Sequence, residues 1–595
     1  MLSYTLAVRT VTIEEFLVLR KITAFSLCVL WLWTTGGLAL GQNGKPAPAA
    51  KRPRLVLLIV VDQFRYDYLE RFNGLYTSGI ARLLRDGANW TEANYDHTPT
   101  YTAPGHSTLM TGAWPAETGI IGNDWPDFDE KASVTSVSDA KTKLLGGEAD
   151  AQGSSPRRLM ASTLGDELRF ATDSRAQVIG ISVKDRAAIL PGGRHANAAY
   201  WFSDKTGTFV SSDYYFPELP AWAAAFNATA PAKKFCGQTW NRLLPEAEYT
   251  KRAGPDAPFW EMGKKDREPK PDDDTKLKAV SFPHQLAEDL AKCYKEVDYT
   301  PFSNDLLVAM AQLALVNEKL GADNETDVLS VSFSANDYVG HRYGPYSQEA
   351  MDISLRVDRS IGALLDFVDK KVGLANTVTI FTADHGVAPT PEHAADLGLP
   401  GGRIPEKDIL AAVKKEFSAQ FRKGNDLLTD NSADYIDKLK GKEVFVNGNL
   451  YLNQEALKRD GVKAEDAENA ACAASLSVAG IARCFTRAQL ERGAISPNDP
   501  MARRVLHGFY PRRSGDIIVV YEAFKYLGDG TAIATHGSPY SYDTHVPLIF
   551  LGASFKPGRY AEAATPADIA PTLAHILAVQ APSNAVGRVL REGLK

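Results

Sequence analysis

The sequence predicts an α/β fold: a layered core around a mostly parallel central sheet, with large insertions over the sheet's carboxyl edge. Three observations predict it. Six short apolar, mostly β-branched runs recur along the 595 residues: "LVLLIVVD" (55–62), "AQVIGISV" (176–183), "DVLSVSFS" (327–334), "TVTIFTAD" (377–384), "DIIVVYE" (516–522) and "VPLIFLG" (546–552). A run that is apolar on both faces is what a strand buried in a parallel sheet needs. Helical patterns such as "SQEAMDISLRVDRSIGALLDFVDKK" (347–371) separate several of the runs, which is the alternation of an α/β layered core. The long intervals 124–175, 200–300 and 391–510 are richer in Pro, Gly, Asp and aromatic residues. They read as insertions above the edge where such folds bind ligands.

From the N-terminus, Arg20 and Lys21, the apolar run Ile22 to Trp33 and the small-residue site Ala39-Leu40-Gly41 before Gln42 have the order of a secretory leader, 1–41. The run is short for a membrane anchor, and residues 1–20 fit an over-extended start of translation. Pro, Ala and basic residues make 42–54 a linker with no reason to pack. A single domain with its insertions is expected over 55–595. Its composition, 44% hydrophobic and 23% charged, is that of a globular chain, and a net charge of −6 argues against a general nucleic-acid binder. Cys28 lies in the leader. Cys236, Cys293, Cys472 and Cys484 remain, an even number in an exported chain. Of three pairings, Cys236–Cys293 with Cys472–Cys484 keeps each bridge inside one insertion and is the one expected.

"PTYTAPGHSTLMTG" (99–112) opens a short helix. Pro104 suits a first helical turn, Gly105 lets the backbone approach a neighbour, and Gly112 ends the helix. The first turn is an anion site by its free N–H groups and dipole. By itself Thr102 reads as an N-cap.

Acids and histidines gather at the ends of the strand-like runs. Asp62 closes the first; "NDYVGHRYGP" (336–345) sets Asp337 and His341 four residues apart, on one face of a helical turn. "TADHG" (382–386) puts Asp384 and His385 at a strand tip, and "THGSPYSYDTHVP" (535–547) adds His536 and His545. Oxygen and nitrogen donors without thiolate suit zinc or a related divalent ion, and their number suffices for two. Two metals can clamp the attacking and leaving oxygens of a phosphoryl transfer. A threonine hydroxyl is a poor nucleophile until a metal lowers its pKa. In that frame Thr102 becomes the candidate nucleophile, with the helix amides receiving phosphate oxygens.

With "VVDQFRYDYL" added, these motifs resemble the metal motifs of the alkaline phosphatase superfamily. The match is closest to the nucleotide pyrophosphatase/phosphodiesterase branch and, within it, to exported bacterial alkaline phosphatases that use threonine. "TPADIAPTLAHIL" (565–577) resembles the superfamily's closing segment. The resemblance implies an alkaline-phosphatase-like core and two zinc ions, one held by Asp62, Thr102, Asp384 and His385 and the other by Asp337, His341 and His536. His545 stays a lesser candidate, and His106 resembles the family's structural histidine. Asn123 in "GIIGNDW", with Lys184 and Arg186 in "ISVKDRAAIL", resembles the phosphate clamp of the monoesterase members. Lys184 and Arg186 are expected on one side of an extended chain leaving a strand. Alone, that tripeptide would be a solvated strand end; in this frame its two cations neutralise the extra charge of a monoester.

The sequence therefore predicts a periplasmic or secreted two-zinc alkaline phosphatase. It would act as a monomer on small phosphate monoesters through a phosphothreonine on Thr102, with no nucleic-acid partner and no stable membrane insertion. A phosphodiesterase or nucleotide pyrophosphatase is the alternative, ahead of a catalytically dead phosphate-ester-binding protein. A sulfatase would need a Cys or Ser where Thr102 stands.

Overall fold

The first apolar run is buried throughout. Leu55–Val61 (β1) has every residue fully shielded from solvent, because helices or loops cover both faces of the sheet it centres. The computed structural model describes residues 52–148, 151–262, 280–421, 436–439, 442–496, 498–528 and 533–595; the expected leader and nearly all of the linker lie outside them.

The sheet continues in chain order with Ala88–Trp90 (β2), Ser138–Leu145 (β3), Gln152–Ser154 (β4), Val178–Ser182 (β5), Ala198–Ser203 (β6), Thr208–Ser212 (β7), Asp327–Phe333 (β8), Thr377–Thr382 (β9), Leu548–Leu551 (β10) and Gly558–Tyr560 (β11). Its spatial order is β11-β2-β10-β9-β1-β8-β5-β6-β7-β3-β4. The five central strands, β9-β1-β8-β5-β6, are all parallel. β10 joins β9 antiparallel, and β7 joins β6 antiparallel. The sheet is thus mostly parallel, with antiparallel flanks.

Five helices frame the carboxyl edge or brace the sheet behind it: Thr102–Thr111 (α1), Asp185–Gly192 (α2), Ala335–Tyr343 (α3), Gln348–Lys371 (α4) and Ile569–Leu577 (α5). α4 shows how the sequence sets an element. The Ser347 hydroxyl accepts the Ala350 N–H at its start, and Lys370 and Lys371 sit in its last turn, where the helix dipole favours cations. Met351, Leu355, Ile361, Leu364, Leu365 and Val368 form its buried stripe in the main core.

Three segments depart from the sequence reading. The run 516–522 is not in the central sheet. Ile517–Tyr521 lies in a separate four-stranded antiparallel sheet with Phe445–Val446, Asn449–Leu450 and Ile481–Thr486. That sheet packs with two helices, Glu406–Gln420 and Ala464–Leu476, around a core of its own. The interval 200–300 begins with residues of β6 and β7, and 124–175 contains β3 and β4, so both extend the central sheet's far edge before they leave it. Both expected disulfides are present, Cys236–Cys293 and Cys472–Cys484. No helix among the described residues is long and apolar enough to cross a membrane.

Candidate active site

Parallel pairing does most of the assembly. β9, β1, β8 and β5 are neighbours running the same way, so the residues that come after them emerge at one edge. After β9 come Asp384 and His385; after β1, Asp62; after β8, α3 with Asp337 and His341; after β5, Lys184. His536 enters from the loop before β10, whose antiparallel direction starts it at that same edge.

Two three-residue groups result, Asp62 with Asp384 and His385, and Asp337 with His385 and His536. In each, one donor atom per residue lies within 4.8 Å of the others. His341 joins the second, its Nε2 3.2 Å from Asp337 Oδ1. The His385 and His536 rings stack with centroids 3.6 Å apart. Each histidine spends Nδ1 on a backbone carbonyl: His385 on Gly386 at 2.9 Å, His341 on Ala534 at 2.7 Å, His536 on Thr100 at 2.8 Å. A carbonyl only accepts, so Nδ1 carries a proton; in the neutral ring, the form burial favours for His385, Nε2 keeps a lone pair facing the carboxylates, while for His341 burial is outweighed by the Asp337 charge, which raises its pKa. Among the described residues, Asp62 Oδ1 and Asp384 Oδ2 are buried without a well-aligned hydrogen bond, although His106 Nδ1 lies 3.1 Å from Asp384 Oδ2. Such carboxylate oxygens beside imidazole nitrogens form a donor set that fits zinc or a like divalent ion.

The electrostatics of the cluster come from burial and crowding. Burial, then the Asp384 charge, push the Asp62 carboxyl well above its usual range against the pull of Lys184. Asp337 is also buried, but His341 and Lys184 outweigh that and hold it well below. Burial drives His385 down to about 3, keeping the ring neutral. Lys184 lies between two acids, its Nζ 2.7 Å from Asp62 Oδ2 and 2.5 Å from Asp337 Oδ2.

Thr102 is the first residue of α1, and it is Tyr101, in extended conformation, that occupies the cap. The N-cap reading of Thr102 therefore fails. Its hydroxyl faces the cluster instead, 3.5 Å from His385 Nε2. α1 presses so closely on the strand end that a Cβ at Gly105 would collide with the Asp384 carbonyl oxygen. Gly112 ends the helix in left-handed conformation, φ 65°. The expectation that first-turn amides receive phosphate is corrected in part. Ala103 N–H donates to Asn123 Oδ1 at 2.9 Å, Pro104 has no N–H, and Gly105 N–H donates to the Tyr101 carbonyl. With Oδ1 committed, Asn123 has its Nδ2 donors left to give.

Arg186 is the second correction. Lys184 is extended, but α2 begins at Asp185, so Arg186 is helical rather than on an extended chain. It remains at the rim, its charge felt by both Lys184 and Asp124. His106 sits behind the cluster, between the Thr102 carbonyl (2.9 Å) and Ser332 Oγ (2.8 Å). His545 is outside it: Nε2 bonds the Thr91 carbonyl at 2.8 Å and the ring stacks on Tyr66.

Gln63 is not visible in the sequence as a site residue. Its backbone N–H donates to Asp384 Oδ1 at 3.2 Å and its Nε2 to Asp337 Oδ1 at 2.7 Å, so one residue ties the two groups together. It does so from a left-handed φ of 62° and almost fully buried.

Residues 56–477 match the family described as type I phosphodiesterase / nucleotide pyrophosphatase. The chain is 34% identical to alkaline phosphatase PhoV of Synechococcus elongatus over 97% of its own length and 100% of the relative's. It is 34% identical to alkaline phosphatase PafA of Elizabethkingia meningoseptica over 94% of its length and 98% of that protein. The crystal structure of wild-type PafA superposes with a TM-score of 0.80 at 33% identity, covering 91% of this chain and 99% of that one. Another PafA structure carries four substitutions together, at a threonine, an asparagine, a lysine and an arginine.

Proposed function

We propose that this chain, which belongs to the type I phosphodiesterase / nucleotide pyrophosphatase family and is an alkaline phosphatase, hydrolyses phosphate monoesters through a phosphothreonine on Thr102. The observation that carries the reading is the Thr102 hydroxyl, placed at the first residue of α1 and 3.5 Å from His385 Nε2, against both donor groups. Two zinc ions, one held by Asp62, Thr102, Asp384 and His385 and one by Asp337, His341 and His536, would lower the pKa of the hydroxyl and of water and offset charge on the leaving oxygen.

The chain's own residues do the rest. Thr102 Oγ attacks phosphorus as the bond to the ester oxygen breaks, and the alcohol leaves with a proton. Water then attacks the phosphothreonine, releases inorganic phosphate and restores the hydroxyl. Asn123 Nδ2, Lys184 and Arg186 bind the non-bridging oxygens, where charge must be held through both steps. Their spacing supports the assignment. The threonine and asparagine substituted in PafA are 21 positions apart, like Thr102 and Asn123, and its lysine and arginine are two apart, like Lys184 and Arg186. Export to the periplasm or medium, as a monomer, belongs to the same proposal; two disulfides fit an oxidising compartment.

Acid quench during turnover of p-nitrophenyl phosphate, followed by peptide mass spectrometry, tests the intermediate. Phosphate on Thr102, and none in Thr102→Ala, is the expected result. Phosphate elsewhere, or a Thr102→Ala enzyme that still turns over near the wild-type rate, would overturn it.

A further inference from the structure

Asn123 closes a stretch, 119–123, that belongs to neither helix nor strand. The helix Pro115–Thr118 stops before it, and the strand Asp124–Asp127 starts directly after it. Ile120, Ile121 and Trp125 pack with Ala103 of α1, so the stretch is seated against the helix that carries Thr102. The Ala103 N–H on Asn123 Oδ1 fixes which way the amide faces. Where its Nδ2 reaches then depends on what holds the stretch in place.

One side chain from outside this region grips it on both sides of Asn123. Arg513 Nη1 donates to the Gly119 carbonyl at 2.5 Å and to the Arg158 carbonyl at 2.9 Å. The same guanidinium lies over the Trp125 ring, 5.0 Å from its centroid. Gly119 comes four residues before Asn123 and Trp125 two after it. A planar guanidinium can do both at once, giving its edge to carbonyls and its face to an indole.

Arg513 is itself held firmly. Its N–H and that of Ser514 both reach the Tyr510 carbonyl, at 3.0 and 2.9 Å, and the Tyr451 hydroxyl donates to the Arg513 carbonyl at 2.8 Å. Arg487 binds the Ser514 carbonyl at 2.6 Å and Asp516 Oδ1 at 2.9 Å. Arg487 directly follows the strand Ile481–Thr486 and Asp516 directly precedes Ile517–Tyr521, so the turn is fixed to two strands of the four-stranded sheet.

We infer that Arg513 is a positioning residue for phosphate binding: through Gly119 and Trp125 it sets Asn123, and so makes the second sheet part of the clamp. This rests on the clamp reading of Asn123 given above. A displacement of about 1 Å at such a group can cost as much as 10²-fold in rate.

The test is a double-mutant cycle in the full, zinc-loaded chain: wild type, Arg513→Met, Asn123→Ala and the two together. kcat/KM on p-nitrophenyl phosphate, the inhibition constant of inorganic phosphate, zinc content and Tm are measured for each. Methionine keeps the apolar stem and removes the donors. Arg513→Met should lower kcat/KM and weaken phosphate binding about tenfold each, with zinc content unchanged. Beside Asn123→Ala the same change should cost less than about twofold, because the group it sets is gone. Arg513→Lys keeps a donor for the carbonyls but lies poorly on Trp125, and should cost about fivefold; if Arg513→Met does not fold, the cycle is run with it. A variant whose Tm falls while kcat/KM and phosphate binding stay within about twofold of wild type would make Arg513 a structural residue only and overturn the inference. Costs that multiply in the double variant would overturn it as well. Asn123→Ala that leaves both readouts unchanged would refute the clamp reading itself, and the role of Arg513 with it.

Discussion

Replacing Lys184 and Arg186 by alanine separates a monoesterase from a diesterase. A charge-assisted hydrogen bond contributes about 1.5–3 kcal/mol. The Lys184 side chain is only 3% exposed, so its contact belongs at the upper end, roughly 10²-fold in kcat/KM. Arg186 is 26% exposed and screened by solvent, so it belongs at the lower end, roughly tenfold. Together they predict a fall of about 10³ on p-nitrophenyl phosphate, with some departure from additivity because the two charges feel each other. Bis-p-nitrophenyl phosphate lacks one of the oxygens they would hold, and its rate should fall less than about tenfold. Zinc content must be measured alongside, because Lys184 also bridges Asp62 and Asp337. Removing a cation from two carboxylates should not weaken their hold on a metal. Raising ionic strength should shrink the Arg186 share of the effect and spare the Lys184 share. Equal losses on the two substrates, with zinc retained, would refute the clamp and move the enzyme to the phosphodiesterase reading.

Gln63→Ala should loosen the Asp337 group, because the side-chain bond to Asp337 is lost while the backbone N–H to Asp384 remains. Zinc release to a chromogenic chelator should quicken about 10–100-fold, with equal losses on monoester and diester; unchanged release would show that Gln63 is not a positioning residue. Asp327, at the opposite end of β8 from the cluster, gives a pH prediction. Burial raises its carboxyl from 3.8 to about 6 in the folded chain. The native state then binds more protons than the unfolded one between those values, so this group's contribution to stability falls as pH rises through that window and levels off above it. Asp327→Asn sets an amide against the N–H of Gln177 or Gly321 and costs some stability at every pH. The diagnostic is therefore the slope: relative to wild type the variant should gain Tm from about pH 4 to 6 and hold level beyond. A difference that stays flat across the window would remove Asp327 as its source.

The part of the site legible in the sequence is the part that the chain's topology gathers. Asp62, Asp384 and Lys184 come within two residues of the ends of strands whose apolar runs identify them, and parallel pairing turns neighbouring strand ends into neighbouring polar side chains. Strand ends can therefore be read as a site before any geometry is known. The run 516–522 sits elsewhere than its pattern suggests because an apolar strand shows that it is buried but not in which core, and this chain has a second core around Ile409, Val413 and Ile517. Arg186 departs from the extended reading for a local reason. Asp185 sits in the first turn of α2, where the helix dipole favours an acid, and "DRAAIL" carries strong helix formers. That signal is present and points to a helix start. Gln63 leaves no such trace. Its side-chain partner is 274 residues away, and nothing about a glutamine after Asp62 announces a left-handed backbone. The same logic explains Thr102. A threonine at a helix start reads as a cap because most are, and only the extended Tyr101 before it and the cluster in front of it turn its hydroxyl from the helix toward His385. Residues that touch metal or substrate are constrained by chemistry, which restricts residue type and so marks the sequence. The residues that aim them are constrained by position alone, which many side chains can meet, and they become visible only once the backbone has brought distant segments together.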